Sequence, residues 1–368
     1  MTICVVGRGI IGLSVAEYLS RNRSQDVIVL ASERFPPASL AAAANLATKS
    51  QVFGRDPHFE LKLSGKRQYA QWLSSLCSES GTHSSTDVTH FFRSGPGLDF
   101  FDLREQADQQ WNRVVQPEDE IIARGLSSQK ILRRDDFTIE YADEGWVDAK
   151  FLLQLLESVL RSRGVQFKDV DVSQFENVKS VCTSLKALIV CAGSMTPSIL
   201  SAWGLVEFPK SMQKRRRWSF GGTLEIDLPY WQLPEDGVLL EYVTEMPIGK
   251  VTISGTSGRF FCSSVSVTCS EEEASHLPIL PEVQVIEQQK EQMLRVLRDR
   301  MSLDIESVSH RWRWGWRLGF GHSELVIDRI PQLFSDFRGS LMVVAGAHKS
   351  GFLFAPSIGF LVGQKLQG

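Results

Sequence analysis

Residues 2–19 read TICVVGRGIIGLSVAEYL, and this stretch decides the fold. Residues 2–6 are a short apolar, β-branched run of the kind that forms a buried strand. Glycines follow at positions 7, 9 and 12, and Ile10, Ile11, Leu13, Val15, Ala16 and Leu19 then recur with helical spacing. A second apolar run, residues 26–30 (DVIVL), completes a βαβ opening of about thirty residues. In such a strand–turn–helix, Gly7 permits the tight turn. Gly9 lets backbone approach a pyrophosphate, and Gly12 lets helix and strand pack closely. Ile10 and Ile11 open the helix, whose unpaired N–H groups and dipole favour an anion. The spacing predicts a dinucleotide site. Such sites add an acid near the end of the second strand to hold the adenosine ribose. Here that strand ends at Leu30, Ala31 follows, and the first acid is Glu33.

Outward from this opening, helix and strand patterns alternate. Residues 58–77 carry Leu61, Leu63, Tyr69, Trp72 and Leu73 on one helical face, whereas residues 85–145 give weak signals. A Leu-rich helix is predicted over 151–161, with Gly164 as its C-terminal cap and a short strand over 165–172. Residues 185–191 (LKALIVC) form a buried strand ending in Ala192 and Gly193, and residues 218–267 alternate in the manner of a β-sheet. A helix follows over 279–301, a strand over 341–345 and a last helix over 356–366. The nucleotide-binding parts thus come from the start, middle and end of the chain. At 368 residues the chain is too long for one ordinary core and suits two domains sharing a cleft. Net charge is −3 and pI about 6.2, unlike a general nucleic-acid binder. The six cysteines, at 4, 77, 182, 191, 262 and 269, show no metal-binding CxxC spacing, and Cys4 and Cys191 sit in apolar runs. A reducing compartment, no disulfide and no metal are expected. With no signal-peptide pattern and no run of about 18 apolar residues, so is a cytoplasmic protein that does not span a membrane.

Further segments, in order along nearly the whole chain, carry a family likeness. They are residues 31–37 (ASERFPP), 38–48 (ASLAAAANLAT), 144–148 (EGWVD), 187–197 (ALIVCAGSMTP), 317–331 (RLGFGHSELVIDRIP) and 345–359 (AGAHKSGFLFAPSIG). Together with the glycine turn they resemble the D-amino-acid oxidase and glycine oxidase (DAO) family of flavoproteins. The resemblance implies that Glu33, beside Arg34, contacts the ribose of FAD. It implies that Ala43, Ala44, Asn45 and Leu46 pass close to the flavin ring, with Val170 on the adenine side. Ala192 and Gly193 would lie near the pyrophosphate. Gly346, Lys349, Ser350, Gly351, Phe352 and Leu353 would cap the pyrimidine end. No cysteine stands near the Arg317 segment, where sarcosine oxidases tether their flavin, so noncovalent FAD is implied. Independently of the resemblance, a Gly-flanked loop opening a helix presents free N–H groups at 351–353. There they would stabilise negative charge on a reduced ring. Three positions depart from the family pattern: Arg8 replaces a small residue, Ala44-Asn45 stands where glycine oxidases tend to have Gly-Met, and Leu318 stands in place of proline. They point to a specialised substrate rather than plain glycine.

Arg317 is the first candidate for the substrate, chiefly because the resemblance places it at the family's substrate-binding arginine; a guanidinium fork matches a carboxylate and would orient the α-carbon. In a strand, residues 311, 313, 315 and 317 face one way and the intervening tryptophans the other. For Arg311 and Arg313 a solvated face backed by a Trp core is the plain expectation. Lys349 stands where glycine oxidases often carry an arginine. It either binds an acid, reacts as a base, or faces solvent. His348 either faces the flavin or packs structurally. Tyr242 is a weaker candidate for an aromatic wall, against a buried core tyrosine. The basic run at residues 214–217 is either a solvated face or a dock for an acidic substrate or partner.

The fold class expected is therefore α/β. A Rossmann-like FAD-binding domain of the glutathione-reductase type is expected from residues 1–80, 145–210 and 325–368. A β-rich substrate domain is expected from 81–144 and 211–324. The activity implied is FAD-dependent oxidation of the C–N bond of a small amine or amino acid, with hydride passing from the α-carbon to flavin N5 and O2 yielding H2O2. Alternatives are a tailoring enzyme for a carrier-bound or peptide-borne amine, a dehydrogenase passing electrons to a partner, and a noncatalytic flavin-holding protein. A homo-oligomer is left open.

Overall fold

The computed structural model describes residues 2–22, 25–32, 37–47, 58–81, 88–114, 131–181, 185–205, 207–228, 237–244, 249–256, 258–264, 266–269, 283–321, 325–330 and 339–367. The strands, numbered along the chain, are β1 Thr2–Val6, β2 Asp26–Ala31, β3 Phe92–Phe101, β4 Ile131–Asp135, β5 Thr138–Val147, β6 Gln166–Asp169, β7 Leu185–Val190, β8 Arg216–Leu228, β9 Leu239–Thr244, β10 Gly249–Thr256, β11 Gly258–Ser264, β12 Val267–Cys269, β13 Ser309–Phe320, β14 Val326–Ile330 and β15 Ser340–Ala345. The helices that matter below are α1 Ile10–Ser20, α2 Phe59–Ser80, α3 Ala149–Ser162, α4 Val283–Met301 and α5 Gly351–Gln367.

Six described strands form one sheet, in the order β14-β15-β7-β1-β2-β6. All neighbours are parallel except β14, which runs against β15 at the edge. Its central strands are buried on both faces, which explains their unbroken apolar runs. Alternate residues sort cleanly. Ile3, Val5, Val27, Val29 and Ile189 pack under α1, α2, α3 and α5, whereas Cys4, Val6, Ile28, Leu30, Leu188 and Val190 face the second sheet. Because β1 lies between β2 and β7, the chain winds outward on one side and then returns to build the other. The crevice at the carboxyl end of β1 is the natural ligand position of such a sheet, and Gly7 stands there.

The second sheet joins nine described strands in the order β12-β8-β11-β10-β9-β3-β5-β4, with β13 paired along the whole of β8. Helix α4 covers it through Met293, Val296 and Leu297. The β8–β13 ribbon turns Trp218, Phe220, Trp316, Leu318 and Phe320 onto the first sheet. Phe220 stacks on Trp314 at 5.6 Å, and Trp314 on Trp312 at 5.9 Å, so the tryptophan side of β13 is core as the alternation predicts.

Several boundaries move. Gly164 does follow α3 in a left-handed conformation, with φ of +84°. Helix α5, expected from 356, begins at Gly351 and runs through Pro356. Proline removes one i→i−4 bond, but Phe352, Leu353, Phe354, Ile358 and Val362 are all buried, and that apolar burial holds the helix together. The start of the predicted 279–301 helix lies outside the described residues. Among the described residues, Cys4, Cys77, Cys191 and Cys262 are buried and not in disulfides, and no helix is long and apolar enough to cross a membrane.

Candidate functional site

A cavity of about 1260 Å³ opens where the two sheets meet. One end lies over the glycine turn, the ends of β2 and β6, and Ala192 to Met195. The other end lies over β8, β9, β10 and β13. The turn is built as its glycines predict. Gly7 has φ +125°, and a Cβ there would lie 2.3 Å from the Cys191 carbonyl oxygen; one on Gly12 would lie 2.0 Å from the Gly7 carbonyl oxygen. Gly9 meets no backbone in this way: its nearest neighbours would be Ser39 Oγ at 3.2 Å and the Pro37 side chain at 3.6 Å. A Cβ on Gly351 would touch Ile10 at 3.2 Å, so α1 and α5 begin side by side on the same cavity. Two helix N-termini thus aim positive dipole ends into one space large enough for a dinucleotide, the Ile10 N–H at the start of α1 donating to Ser39 Oγ at 3.0 Å. On all three counts (volume, open glycine, paired helix starts) the residues fit FAD.

Most of the residues expected to hold the cofactor do line this cavity: Gly7, Gly9, Ile10, Ile11, Ala43, Ala44, Asn45, Ala192, Gly193, Gly346, Lys349, Gly351, Phe352 and Leu353. Gly12 packs the turn from behind. The loop carrying Ala44 and Asn45 is stitched to the second sheet. Leu46 N donates to Gly145 O (2.7 Å), Val147 N to Ala44 O (3.3 Å), and Ser254 Oγ to Asn45 Oδ1 (2.7 Å). Ala44 and His348, both on the cavity, are two of three described non-glycine residues with positive φ, at +52° and +46°. Strain of this kind persists where surrounding contacts impose it.

Other expectations need correction. Leu46 turns into the helix-side core and does not reach the cavity. Val170 extends β6, its N–H donating to Ala31 O at 2.9 Å, and its side chain packs inward. Phe167, Lys168 and Asp169 line the cavity in its place. Ser350 is buried in the turn, its N–H donating to Ala347 O at 2.8 Å. Tyr242 faces away altogether. The pleat of β9 puts Leu239 and Glu241 on the cavity, while Tyr242 stacks on Phe100 at 5.1 Å in the opposite core. Arg8 is held in two hydrogen bonds by Glu157, at 2.5 and 2.6 Å, with its guanidinium over Phe167. Arg313 is not solvated: it pairs with Glu225 and donates to Leu40 O at 3.1 Å. Glu33 and Arg34 lie outside the described residues.

At the far end the chemistry is cationic. Arg317 faces the cavity, where Nη1 donates to Ser266 Oγ, and among the described residues no carboxylate pairs with it. Desolvation pushes its pKa down, yet a guanidinium keeps its proton in a protein. Lys349 lines the same space and is accessible through it. Desolvation, then Lys250, Lys62 and Arg317 against the opposing pull of Glu241, bring its ammonium down to about 8. Glu241 is buried and forms an ion pair with Lys250. His348 Nε2 shares a hydrogen bond of 2.8 Å with Ser219 Oγ, and its Nδ1 is buried without a partner. Burial first, then Arg317, Arg217, Lys349 and Lys62, press its pKa down to about 3, so the ring is neutral at physiological pH. Ser219, Glu241 and Lys250 were not candidates from sequence, because only strand register brings them here, nor was Ser266, which stands in the connection before β12.

The depressed His348 has a consequence for stability. An unfolded histidine takes up a proton below about 6.5, while the folded one resists until about 3, so this group removes stability as pH falls through that window. Between pH 7 and pH 5 the wild-type protein should lose about 2 kcal/mol more than His348→Asn, a residue that tolerates the positive φ. Urea unfolding at the two pH values measures the difference, and equal losses would count against a neutral buried ring.

A search of curated proteins returns no sequence match. The solved structures it resembles include iminodiacetate oxidase from Chelativorans sp. BNC1, at 16% identity and TM-score 0.70 over 100% of this chain and 95% of that one. Glycine oxidase from Geobacillus kaustophilus follows at 16% and 0.71 over 99% and 94%, and L-proline dehydrogenase from P. horikoshii at 13% and 0.68 over 99% and 92%. At such identities the likeness speaks for the fold. The family profile DAO, described as FAD dependent oxidoreductase, matches residues 2–365. A match of that extent, on a chain whose two helix N-termini converge on a dinucleotide-sized cavity, makes the chain a member of the DAO family of FAD-dependent oxidoreductases.

Proposed function

We propose that the protein oxidises the C–N bond of a small amine or amino acid that carries a carboxylate. The supporting observation is Arg317, a desolvated guanidinium facing the cavity with no anionic partner among the described residues. Such a charge is costly unless an anion completes it, and a substrate carboxylate taken by its fork would do so. The flavin of bound FAD would accept the hydride from the carbon next to nitrogen. It would be held by the glycine turn and by the first turn of α5.

The protein's own groups then position and tune the substrate. Ser266 steers Arg317, and Arg317 fixes the carboxylate and thereby the α-carbon. Ser219 holds His348 as a neutral ring, which adds no further charge. The surrounding Arg317, Lys349 and Lys250 disfavour an ammonium, so the amine binds neutral and its lone pair can assist cleavage of the C–H bond. The product imine hydrolyses in water, and O2 serves as the electron acceptor, yielding H2O2. In this reading the six-stranded sheet holds the cofactor and the nine-stranded sheet shelters the substrate.

Anaerobic titration of the FAD-loaded protein with amines and amino acids, followed at about 450 nm, tests this reading. Bleaching by a carboxylate-bearing amine supports it, and re-oxidation on admitting air supports O2 as acceptor. A flavin that no such amine bleaches counts against it. Lys349 gives a pH signature: its charge is present below about 8 and lost above. Binding of propionate, which carries no amine, should therefore weaken as pH rises through about 8, and Lys349→Met should flatten that step.

A further inference from the structure

We propose that the cavity face of the β8–β13 ribbon forms a second anion subsite, and that the substrate is an amine carrying two acidic groups. This rests on the reading of Arg317 given above. The register places Ser219 opposite Arg317 and Arg217 opposite Gly319. Arg217 and Ser219 are two apart on β8, and Arg317 and Gly319 two apart on β13, so all four positions lie on one face of the ribbon. Arg217 and Arg317 then stand on the diagonal as neighbours roughly 7–8 Å apart. The His348 ring lies over this face, sharing a hydrogen bond with Ser219 Oγ and standing 3.4 Å from where a Cβ on Gly319 would be, an ordinary contact.

Arg217 is solvent-exposed yet lines the cavity, which puts it at the mouth, with Arg317 inside. Its neighbour Arg216 turns the other way, its guanidinium 4.4 Å from the Phe208 ring centroid. The basic run is therefore not uniform: its last residue alone points into the site. Lys250 and Lys349 add charge to the same end, and Glu241 is the one described carboxylate there, already paired with Lys250. A substrate with a single carboxylate on Arg317 would leave Arg217 and Lys349, both on the cavity, without an ion-pair partner among the described residues. A second acidic group, carboxylate or phosphonate, answers that charge. Guanidinium forks accept either in bidentate fashion.

Calorimetric titration of the FAD-loaded protein with propionate, succinate and 3-phosphonopropionate tests the proposal. The expected result is that a two-acid compound binds roughly fivefold to tenfold more tightly than propionate. Arg217→Met should bring that ratio close to one, whereas Arg216→Met should leave it as in wild type. Whichever two-acid compound binds more tightly identifies the second group as carboxylate or phosphonate. Equal dissociation constants in the wild type, or a ratio that survives Arg217→Met, would overturn the proposal. The underlying reading fails separately, if Arg317→Met binds propionate as well as wild type does. Absence of binding by all three acids would overturn both.

Discussion

Replacing Arg317 by methionine should lower kcat/KM for a carboxylate-bearing amine by roughly 10²–10³-fold, with thermal stability unchanged or higher. The two halves of this expectation come from one observation. Arg317 touches Ser266 but no described carboxylate, so no protein anion among the described residues compensates the desolvation of its charge. An apolar side chain of similar length removes that penalty, much as replacing buried charges with apolar groups is often neutral or stabilising. With substrate present the balance reverses, because a carboxylate in the cavity loses the one fork that matches it. Arg317→Lys should fall between, since an ammonium keeps the charge but not the paired donors. Steady-state kinetics and a thermal melt of the same preparations decide the matter. A structural arginine would give the opposite pattern, with a lower melting temperature and kcat/KM changed only as far as unfolding explains. That result would remove Arg317 from the site.

What could be read in the sequence and what could not divides along local and non-local physics. The glycine turn was legible because its requirements are local: Gly7 needs its φ, and strand and helix patterns flank it. Arg317 became a candidate mainly through the family resemblance, because the alternation with Trp312, Trp314 and Trp316 fixes only which face of β13 is apolar, and Arg311 and Arg313 share the other face with it. Tyr242 stayed open between aromatic wall and buried core for the complementary reason, and the structure places it in the core. The run LLEYV is apolar on both parities, and a shift of one residue exchanges the faces of a strand. Only pairing with β10, which sets Tyr242 opposite Val251 and Leu240 opposite Ile253, shows that Glu241 faces the cavity. Val170 failed in the same way at the end of β6. Arg313 read as solvated because Glu225, its partner, comes from another strand nearly ninety residues away. Pro356 read as a helix start because proline favours the first turn, but burial of the flanking phenylalanines and leucine overrode that preference. Ser219, Lys250 and Ser266 carry no local signal at all. A serine or lysine in a β-strand or in a connection between strands is ordinary, and its meaning arises only when the fold brings it to Arg317 or Lys349.

Gly7→Val should yield a protein that emerges colourless and melts at a markedly lower temperature, whereas Gly9→Ala should keep the fold and lose affinity for FAD. The two glycines share a turn but meet different surroundings. Gly7 is fixed from both sides by backbone, its N–H donating to Leu30 O at 2.8 Å while Cys191 N donates to Val6 O at 2.7 Å. A Cβ there would lie 2.3 Å from the Cys191 carbonyl oxygen and would adopt φ +125°, and neither the β1–β7 pairing nor the β1–β2 pairing can yield without breaking. Strained backbone of this kind costs about 1–3 kcal/mol and overpacking about as much again, so several kcal/mol fall on the strand that centres the sheet. At Gly9 the nearest atoms would be Ser39 Oγ at 3.2 Å, which need give only a few tenths of an ångström, and the Pro37 Cβ at 3.6 Å, an ordinary contact. The added methyl therefore disturbs the apo protein little, and its effect falls on how closely the backbone approaches a pyrophosphate. The ratio of absorbance at about 450 nm to that at 280 nm after purification reports bound flavin, and melts with and without added FAD report how much binding stabilises each variant. A Gly7→Val protein that stays yellow and melts with the wild type would mean that the turn can open. The pyrophosphate site would then have to be sought at the other helix start, above Gly351.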